Sequence, residues 1–292
     1  MKPILVILLQ LFFLFNFAQL SPMLKGKVSC ARFLKSTTCV VLSEDEAFNN
    51  QLIYSFEQSW NITPVKFISI EEFKATISNT ELSFVYINEF NVMGNKKEIG
   101  ALALFNGGFT DTDFYLHSCL AYVPYDNWGI EKELADIDKR LPAMVFQLQE
   151  TVSLIYEFDI SGNNENAITR QLTKIYNERA GVLKDKTLLI DVKYKSLKIT
   201  SIDQLAKTYK YAFEFVSSEE IKKAVDSKDP TKAILSSSFN LHKCNQVFNC
   251  STYEVVFCEL EVYDVFTQSS LDKFDFGDME ELSSCVKKSK AN

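Results

Sequence analysis

Residues 67–74 read FISIEEFK, and residues 215–222, which begin 148 positions further along the chain, read FVSSEEIK. In each copy a short apolar run leads to a Ser that has a Glu three residues after it. This pattern predicts a strand followed by a helix with a capped N-terminus. An internal repeat of this kind predicts a duplicated fold. The alternative is that each copy is an ordinary strand and helix start, which many α/β proteins form independently.

The residues around the first copy predict further strands and helices. The β-branched run Thr37–Leu42 predicts a buried strand, and Ser43 with Glu46 predicts the start of a helix. That helix carries apolar residues four positions apart, which are Phe48, Leu52, Phe56 and Trp60. After the first copy, strand-like runs follow at residues 83–87, 100–105 and 119–123.

The residues around the second copy repeat this order. Thr187–Ile190 matches Thr38–Val41 at an offset of 149, and Tyr209 takes the place of Trp60 at the same offset. One residue is then lost before the second copy begins. The predicted elements of this half are a strand at 213–216, a helix at 217–225, strands at 233–235 and 252–266, and a C-terminal helix with Met279, Leu282 and Val286.

Alternating strands and helices imply parallel βαβ units, and the consecutive strands late in each half imply an antiparallel extension. We therefore predict an α/β fold of two tandem, internally repeated modules, joined by helices. Each module is expected to have a mixed, mainly parallel sheet that is extended by antiparallel strands. The predicted boundaries are residues 19–160 for module 1, which includes a long C-terminal helix, and residues 161–292 for module 2.

The join between the modules is predicted to be helical. Apolar residues recur with three-four spacing from Leu134 to Ile155, and Pro142 fits the first turn of a helix that runs to about Phe158. Ser161–Asn164 is the best linker. Because ligand sites favour domain boundaries, we expect any pocket to lie in the cleft between the modules.

The N-terminus has the pattern of a secretory signal peptide. Lys2 precedes an apolar run, Ile4–Phe17, that ends at Ala18. This run is shorter than the roughly 20 residues of a membrane-spanning helix. We therefore predict a signal peptide at residues 1–18 and an exported protein, periplasmic or extracellular, with no transmembrane segment in the mature chain. A retained N-terminal anchor is the alternative.

Composition limits the partners. The formal charge is −7, and losing Lys2 with the signal peptide changes it to −8. Because this acidity repels phosphates, we expect no nucleic-acid partner.

All seven cysteines lie beyond residue 18, in the part expected to be exported. An oxidising compartment permits disulfides, and the odd number leaves at least one thiol outside an intramolecular pair. We expect Cys244 and Cys250 to be the best candidates for a disulfide, because residues 245–249 could form a loop that brings them together. Cys39 and Cys258 lie in apolar runs and are expected to be core residues.

The histidines offer weak candidates for chemistry. His117 and Cys119 could lie on one face of a strand, but at a separation that fits proton transfer poorly. A second cluster contains His242, Cys244, Cys250 and Cys258. Its spacing does not match a zinc site, in which close ligand pairs occur twice.

Other motifs have structural explanations. Glu71, Glu72, Glu219 and Glu220 lie at predicted helix starts, where negative charge is favourable. Gly107–Gly108 is not followed by the helix start of a phosphate-binding loop. We therefore assign no catalytic, cofactor-binding or metal-binding residue and no cofactor.

The chain also resembles a group of proteins. The residues concerned are Ala18-Gln19 after a Phe-rich leader, the strand and helix that end in Trp60, and the stretches Thr63–Glu72, Lys186–Ile190 and Tyr209–Glu220. These are similar to uncharacterised exported proteins of Bacteroidota. This resemblance implies a bacterial periplasmic or extracellular location. The group has no established activity, so it implies no functional residue.

These observations favour a non-enzymatic module that binds a small ligand or an envelope protein. A secreted hydrolase that uses carboxylates is one alternative, since carboxylates are plentiful. A structural component of the cell envelope is another.

Overall fold

The structure is a computed structural model, and it describes residues 26–91, 98–109, 119–124, 140–161, 165–192, 202–239, 242–262 and 276–289. Within these ranges, no helix combines the length and apolar character needed to cross a membrane.

Module 1 contributes four helices and five strands to the described part of the chain. In order they are α1 (Lys27–Phe33), β1 (Thr37–Val41), α2 (Glu46–Ser59), β2 (Val65–Ile68), α3 (Ile70–Thr76), β3 (Leu82–Asn91), β4 (Glu98–Asn106), β5 (Ala121–Pro124) and α4 (Leu141–Glu157).

Module 2 shows the same succession after an additional helix. In order its elements are α5 (Glu165–Glu178), a 3₁₀ helix (Ala180–Asp185), β6 (Thr187–Asp191), α6 (Ile202–Thr208), β7 (Phe213–Val216), α7 (Ser218–Asp226), β8 (Lys232–Phe239), β9 (His242–Asn249), β10 (Val255–Val262) and α8 (Phe276–Lys288).

The two sheets have the same topology. Their strand orders are β2-β1-β3-β4-β5 and β7-β6-β8-β9-β10. In each sheet, the first strand of the module pairs in parallel with the second and third, and the last two strands continue the sheet in antiparallel pairs. The predicted α/β fold of two repeated modules with mixed sheets is confirmed.

Strand pairing fixes the alignment of the two copies. Val40 pairs with Phe67 in module 1, and Ile190 pairs with Phe215 in module 2. The second strands are therefore related by the predicted offset of 148, but the first strands are related by 150. The predicted offset of 149 for the first strands was wrong by one residue, because the apolar residues of both strands are buried on both faces and do not define a register by alternation.

Helix α2 confirms the predicted apolar stripe but not the predicted cap. Phe48, Leu52, Phe56 and Trp60 are all buried. The N-cap is Asp45, whose carboxylate accepts a hydrogen bond from the Phe48 N–H at 3.0 Å. Ser43 lies two residues before this N-cap, and its backbone N–H donates to the Asn49 side chain.

Strand β9 is the largest departure from the prediction, since residues 245–249 were expected to form a loop. Asn245 and Gln246 are buried in the middle of the sheet. The Asn245 amide donates to the Glu259 carboxylate at 2.9 Å, and the Gln246 amide donates to the Cys258 sulfur at 3.8 Å. Cross-strand partners therefore satisfy polar residues that are usually found in turns.

The repeat includes the helix that follows each sheet. Helix α4 packs on α1, α2 and β5 of module 1, and α8 packs on the 3₁₀ helix and α6 of module 2. Pro142 lies in the first turn of α4, as predicted, and the helix ends at Glu157, next to the predicted end.

The largest apolar cluster crosses from one module to the other. It contains Phe56 and Val85 of module 1, Leu148 of α4, and Ile221 and Phe248 of module 2. A second cluster lies on the other face of the module 2 sheet, under α6 and α8. The modules therefore share a core on one side of the second sheet.

Candidate functional site

The sequence predicts that any pocket lies in a cleft between the modules. In the structure, helix α4 occupies this join. Thirteen of its 17 residues are buried, including the polar residues Gln147, Gln149, Glu150 and Thr151. Leu141, Val145, Leu148, Val152 and Ile155 form the predicted apolar stripe and are fully buried. The described part of the join is therefore packed, with polar side chains of α4 within it.

Arg140, the residue before α4, reaches the second sheet. It is buried, and its Nη1 atom donates to the Ser236 hydroxyl of β8 at 2.5 Å. Ser236 lies in the part of β8 that follows its parallel pairing with β6. The start of α4 is thus attached to the carboxyl-end side of the parallel strands, where α/β proteins often bind ligands.

A buried carboxylate lies beside this contact. Asp191 is the last residue of β6, and the register Leu189 with Ile234, continued by two residues, sets it next to Ser236. Its Oδ2 atom accepts a hydrogen bond at 2.5 Å from the hydroxyl of Ser218, the first residue of α7. Two hydroxyls and a carboxylate therefore cluster where Arg140 enters.

The equivalent positions of module 1 show that the fold does not require this polar cluster. Val41, Ile70 and Tyr86 take the places of Asp191, Ser218 and Ser236, and they form part of an apolar cluster. The polar residues occur only in the module that receives a guanidinium from the other one. We interpret the cluster as a docking contact for α4.

The second polar contact of α4 is an ion pair. Arg179 Nη1 lies 2.5 Å from Glu150 Oε1, and the side chains are 28% and 8% exposed. Strand β10 closes the group, since the Val255 N–H donates to Glu150 Oε2 and the Val255 carbonyl accepts from Arg179, both at 3.4 Å. Burial raises the pKa of Glu150, and the Arg179 guanidinium opposes this rise. One carboxylate therefore joins α4, the residue after α5, and β10.

Neighbouring polar groups extend this contact. The hydroxyls of Thr151 and Tyr176 are 3.2 Å apart, and burial raises the pKa of Tyr176 far above its usual value. The Asn177 side chain accepts from the Cys258 N–H of β10 at 2.8 Å. These groups hold α5 against α4 and the edge strand of the second sheet.

A surface groove lies beside α8. It has a volume of about 470 Å³ and is lined by Gly277, Glu280, Glu281, Ser284, Cys285 and Lys288. Burial raises the pKa of the Cys285 thiol, and the nearby Glu281 carboxylate adds to the rise. The thiol is therefore protonated at neutral pH and is a weak nucleophile.

The structure does not bring the predicted disulfide partners together. Cys244 lies within β9 and Cys250 directly follows it, so the expected loop is a strand. Six residues of strand span about 20 Å, whereas disulfide-linked Cα atoms are less than about 7 Å apart. Cys250 is a buried free thiol whose pKa burial raises to about 12.

The remaining sequence candidates have varied outcomes. His117 lies outside the described residues, and Cys119 is buried in an apolar cluster. Within the described ranges, no three His, Cys, Asp or Glu side chains are grouped so as to hold a metal ion. Cys39 and Cys258 are buried, as predicted.

The glutamates at helix starts and the first glycine of the Gly107–Gly108 pair also have structural roles. Glu220 completes a capping box with Ser217, whereas Glu72 pairs with Lys66 instead of the backbone of its cap, Ser69. Gly107 lies so close to the Asn79 carbonyl that a Cβ atom there would lie 2.1 Å from the oxygen. The glycine is thus required by a close backbone contact.

The polar residues at the join were missed from the sequence. Arg140, Gln147 and Glu150 share one side of α4, since they are seven and three residues apart. This spacing could have indicated a second buried side of α4 from the sequence alone. The apolar stripe on the opposite side is the more pronounced pattern, so the polar one was missed.

Comparisons with protein-family models, with curated proteins and with solved structures each found no match.

Proposed function

We propose that this chain is an exported, non-enzymatic protein that acts by binding a small ligand or a protein of the cell envelope. The observation that supports this is the use of its interior polar groups. Arg140, Glu150, Arg179 and Asp191 each bond to another part of the chain. These contacts give the four groups a structural role, and none of the four lines the groove beside α8.

We place a small ligand in the groove beside α8. Its volume of about 470 Å³ falls within the range of small-molecule sites. Glu280, Glu281 and Lys288 give the rim a charge of −1, from two carboxylates and one ammonium group. The groove therefore favours a neutral or cationic ligand over an anionic one.

The test is a thermal-unfolding screen of residues 19–292 against small-molecule and protein fractions of cell envelopes. A ligand that binds only the folded state stabilises it by about 2.7 kcal/mol at a hundred times its Kd. Ser284→Trp, which fills the groove, should abolish a small-molecule shift. Glu57→Trp, at an exposed position of α2, is the matched control and should retain it.

Two results would contradict the proposal. The first is the absence of any saturable shift with every fraction. The second is product release from glycoside or ester substrates that scales with protein concentration, since this would support the hydrolase alternative. A shift that survives Ser284→Trp would keep binding but overturn the groove as its site.

A further inference from the structure

The groove beside α8 can be compared with the corresponding side of α4. Each of these helices follows the sheet of its own module and carries a buried apolar stripe. The two stripes match at an offset of 134 residues, where Val145, Leu148 and Val152 align with Met279, Leu282 and Val286. This offset identifies the residue of α4 that corresponds to each residue of the groove.

The groove corresponds to the side of α4 that contacts module 2. Its residues Glu281 and Ser284 take the places of Gln147 and Glu150, which are both buried. Glu150 contacts β10 of module 2 through the Val255 N–H. A side of the helix that is covered in one copy of the repeat therefore forms an open groove in the other.

On α4, this side binds a guanidinium group. The Arg179 guanidinium contacts the Glu150 carboxylate, and its carbon atom lies 5.8 Å from the centre of the Tyr176 ring. The Val255 carbonyl also accepts a hydrogen bond from Arg179. The repeated scaffold thus contains one guanidinium site at this position, built from a helix carboxylate and neighbouring groups.

The groove has polar groups for a similar site. Burial raises the pKa of Cys285, and the Glu281 and Glu259 carboxylates add to the rise, which places carboxylates of α8 and β10 near this thiol. Ser284 contributes a hydroxyl in the place of Glu150. Lys288 lies about one helical turn beyond Ser284, so its charge favours a cation at the Glu281 end of the groove.

A guanidinium group suits this arrangement better than an ammonium group. It is planar and can donate two parallel hydrogen bonds to one carboxylate. It is also more weakly hydrated than an ammonium group, so it loses less hydration when it enters a partly open groove.

We propose that the groove beside α8 binds the guanidinium group of a small ligand, and that the Glu281 carboxylate accepts hydrogen bonds from it. The ligand supplies from outside the chain the group that Arg179 supplies at the corresponding side of α4. This inference rests on the proposed function, since it names the class of ligand for the same groove.

The test compares two probes by calorimetric titration of residues 19–292. One is N-acetyl-arginine amide, and the other is N-acetyl-citrulline amide, in which a neutral urea replaces the guanidinium at the same chain length. The arginine compound should bind with a Kd about tenfold lower, because only its hydrogen bonds to the carboxylate are charge-assisted on both sides.

Two variants locate the effect. Glu281→Gln should raise the Kd of the arginine compound about tenfold and leave the Kd of the citrulline compound unchanged. Glu57→Gln is the matched control, because it removes the same charge from an exposed position of α2. It should leave both Kd values unchanged.

Three outcomes would overturn the inference. The first is that the arginine compound does not bind, or binds no better than the citrulline compound. The second is equal weakening by Glu57→Gln and Glu281→Gln, which would show an effect of net charge alone. The third is a ligand from the envelope screen whose thermal shift is lost in Ser284→Trp but retained in Glu281→Gln. This last result would keep the groove of the proposed function and reject only the guanidinium group.

Discussion

At the scale of single residues, the two modules differ in how they fill the same buried space. In module 1, hydrogen bonds link four polar side chains in succession. Trp60 Nε1 donates to the Thr63 hydroxyl at 3.0 Å, the Thr63 and Thr38 hydroxyls are 2.6 Å apart, and the Thr38 and Ser83 hydroxyls are 3.0 Å apart. Each hydroxyl satisfies the next, so the buried polar groups cost little.

Module 2 has no such chain of hydrogen bonds at the equivalent positions. The equivalent positions are Tyr209, Tyr211, Leu188 and Ala233, and the last two are fully buried in its apolar cluster. The buried Tyr209 hydroxyl has no hydrogen-bond partner, and burial raises its pKa above the usual value. A mixture of the two sets of residues is therefore unfavourable, because a buried hydroxyl whose neighbour is apolar lacks a hydrogen-bond partner.

Thr38→Val should therefore destabilise the protein by about 1–3 kcal/mol, because it removes one hydroxyl and leaves its neighbours without a partner. The double variant Thr38→Leu with Ser83→Ala copies module 2 and should cost less than the sum of its single variants. Urea unfolding of the wild type, Thr38→Val, Thr38→Leu, Ser83→Ala and the double variant measures both effects. Additive costs would show that the two hydroxyls do not form one unit.

The ion pair makes a prediction about pH. Burial raises the pKa of Glu150 above its unfolded value of about 4.3. Its proton is bound more tightly in the folded protein, so its stabilising contribution is present below that pH and is lost as pH rises through the folded pKa. The unfolding free energy of the wild type should therefore fall relative to Glu150→Gln as the pH rises above about 4.

Glu220→Gln is the control for this measurement. The Ser217 backbone N–H holds the pKa of Glu220 below its usual value. Glu220 therefore stabilises the protein above its unfolded pKa, and this contribution is lost as pH falls. The wild type should lose stability relative to Glu220→Gln on acidification, which is the opposite sign. The same sign for both variants would contradict the assignment of Glu150 as a buried carboxyl.

Sequence patterns predicted residues whose role depends on near neighbours. Ser217 with Glu220, and Phe48 with Leu52, interact three or four positions apart, so their spacing contained the information. The contact of Arg140 with Ser236 spans 96 positions, and the spacing of the polar residues along α4 does not identify this partner. Such contacts follow only from the packing of α4 on the second sheet.

At the scale of elements, α4 is the helix on which the two modules meet. It follows the first sheet in the same way that α8 follows the second. Unlike α8, it has a second buried side, where Arg140 and Glu150 contact β8 and β10. One repeated element has therefore gained a second role.

Leu148→Ala tests the packing of α4. The side chain is fully buried in the cluster that both modules share, so its truncation should cost about 2–5 kcal/mol. Phe158→Ala, at an exposed position just after the helix, should change the unfolding free energy by less than about 0.5 kcal/mol. Urea unfolding compares the two. Similar costs for both would show that α4 is not packed as described.

The elements were predictable to unequal degrees. Strong apolar periodicity located α2 and α4, and β-branched runs located β1 and β6. Strand β9 could not be located in this way because its sequence, HKCNQVFN, is rich in residues typical of turns. Its hydrogen bonds to β8 and β10 determine its structure, and these depend on residues distant in sequence.

At the scale of the whole molecule, the duplicated scaffold has become asymmetric. The face of the second sheet that carries α7 is buried against module 1, and Lys222 of α7 donates to the Gln51 side chain of α2. The equivalent helix of module 1, α3, instead turns the exposed residues Glu71, Lys74 and Ala75 outward. The repeat accounts for the shared topology, and the residues that differ between the two copies account for how the modules join.

The repeat in the sequence was sufficient to predict two modules with the same order of elements, but not their association. A shared core requires knowledge of which faces meet, and both modules offer apolar faces that look alike in sequence. The structure places the shared cluster on one face of the second sheet. We therefore expect the two modules to unfold together.

The most direct test follows both modules through one urea titration of residues 19–292. Both tryptophans belong to module 1 and report its unfolding by fluorescence, while pulsed alkylation of Cys250 and Cys258, buried in module 2, reports the other. Because one apolar cluster and the polar contacts of α4 join the modules, the two probes should give the same midpoint. Two midpoints, with thiol labelling complete while the tryptophan signal is still native, would contradict the shared core.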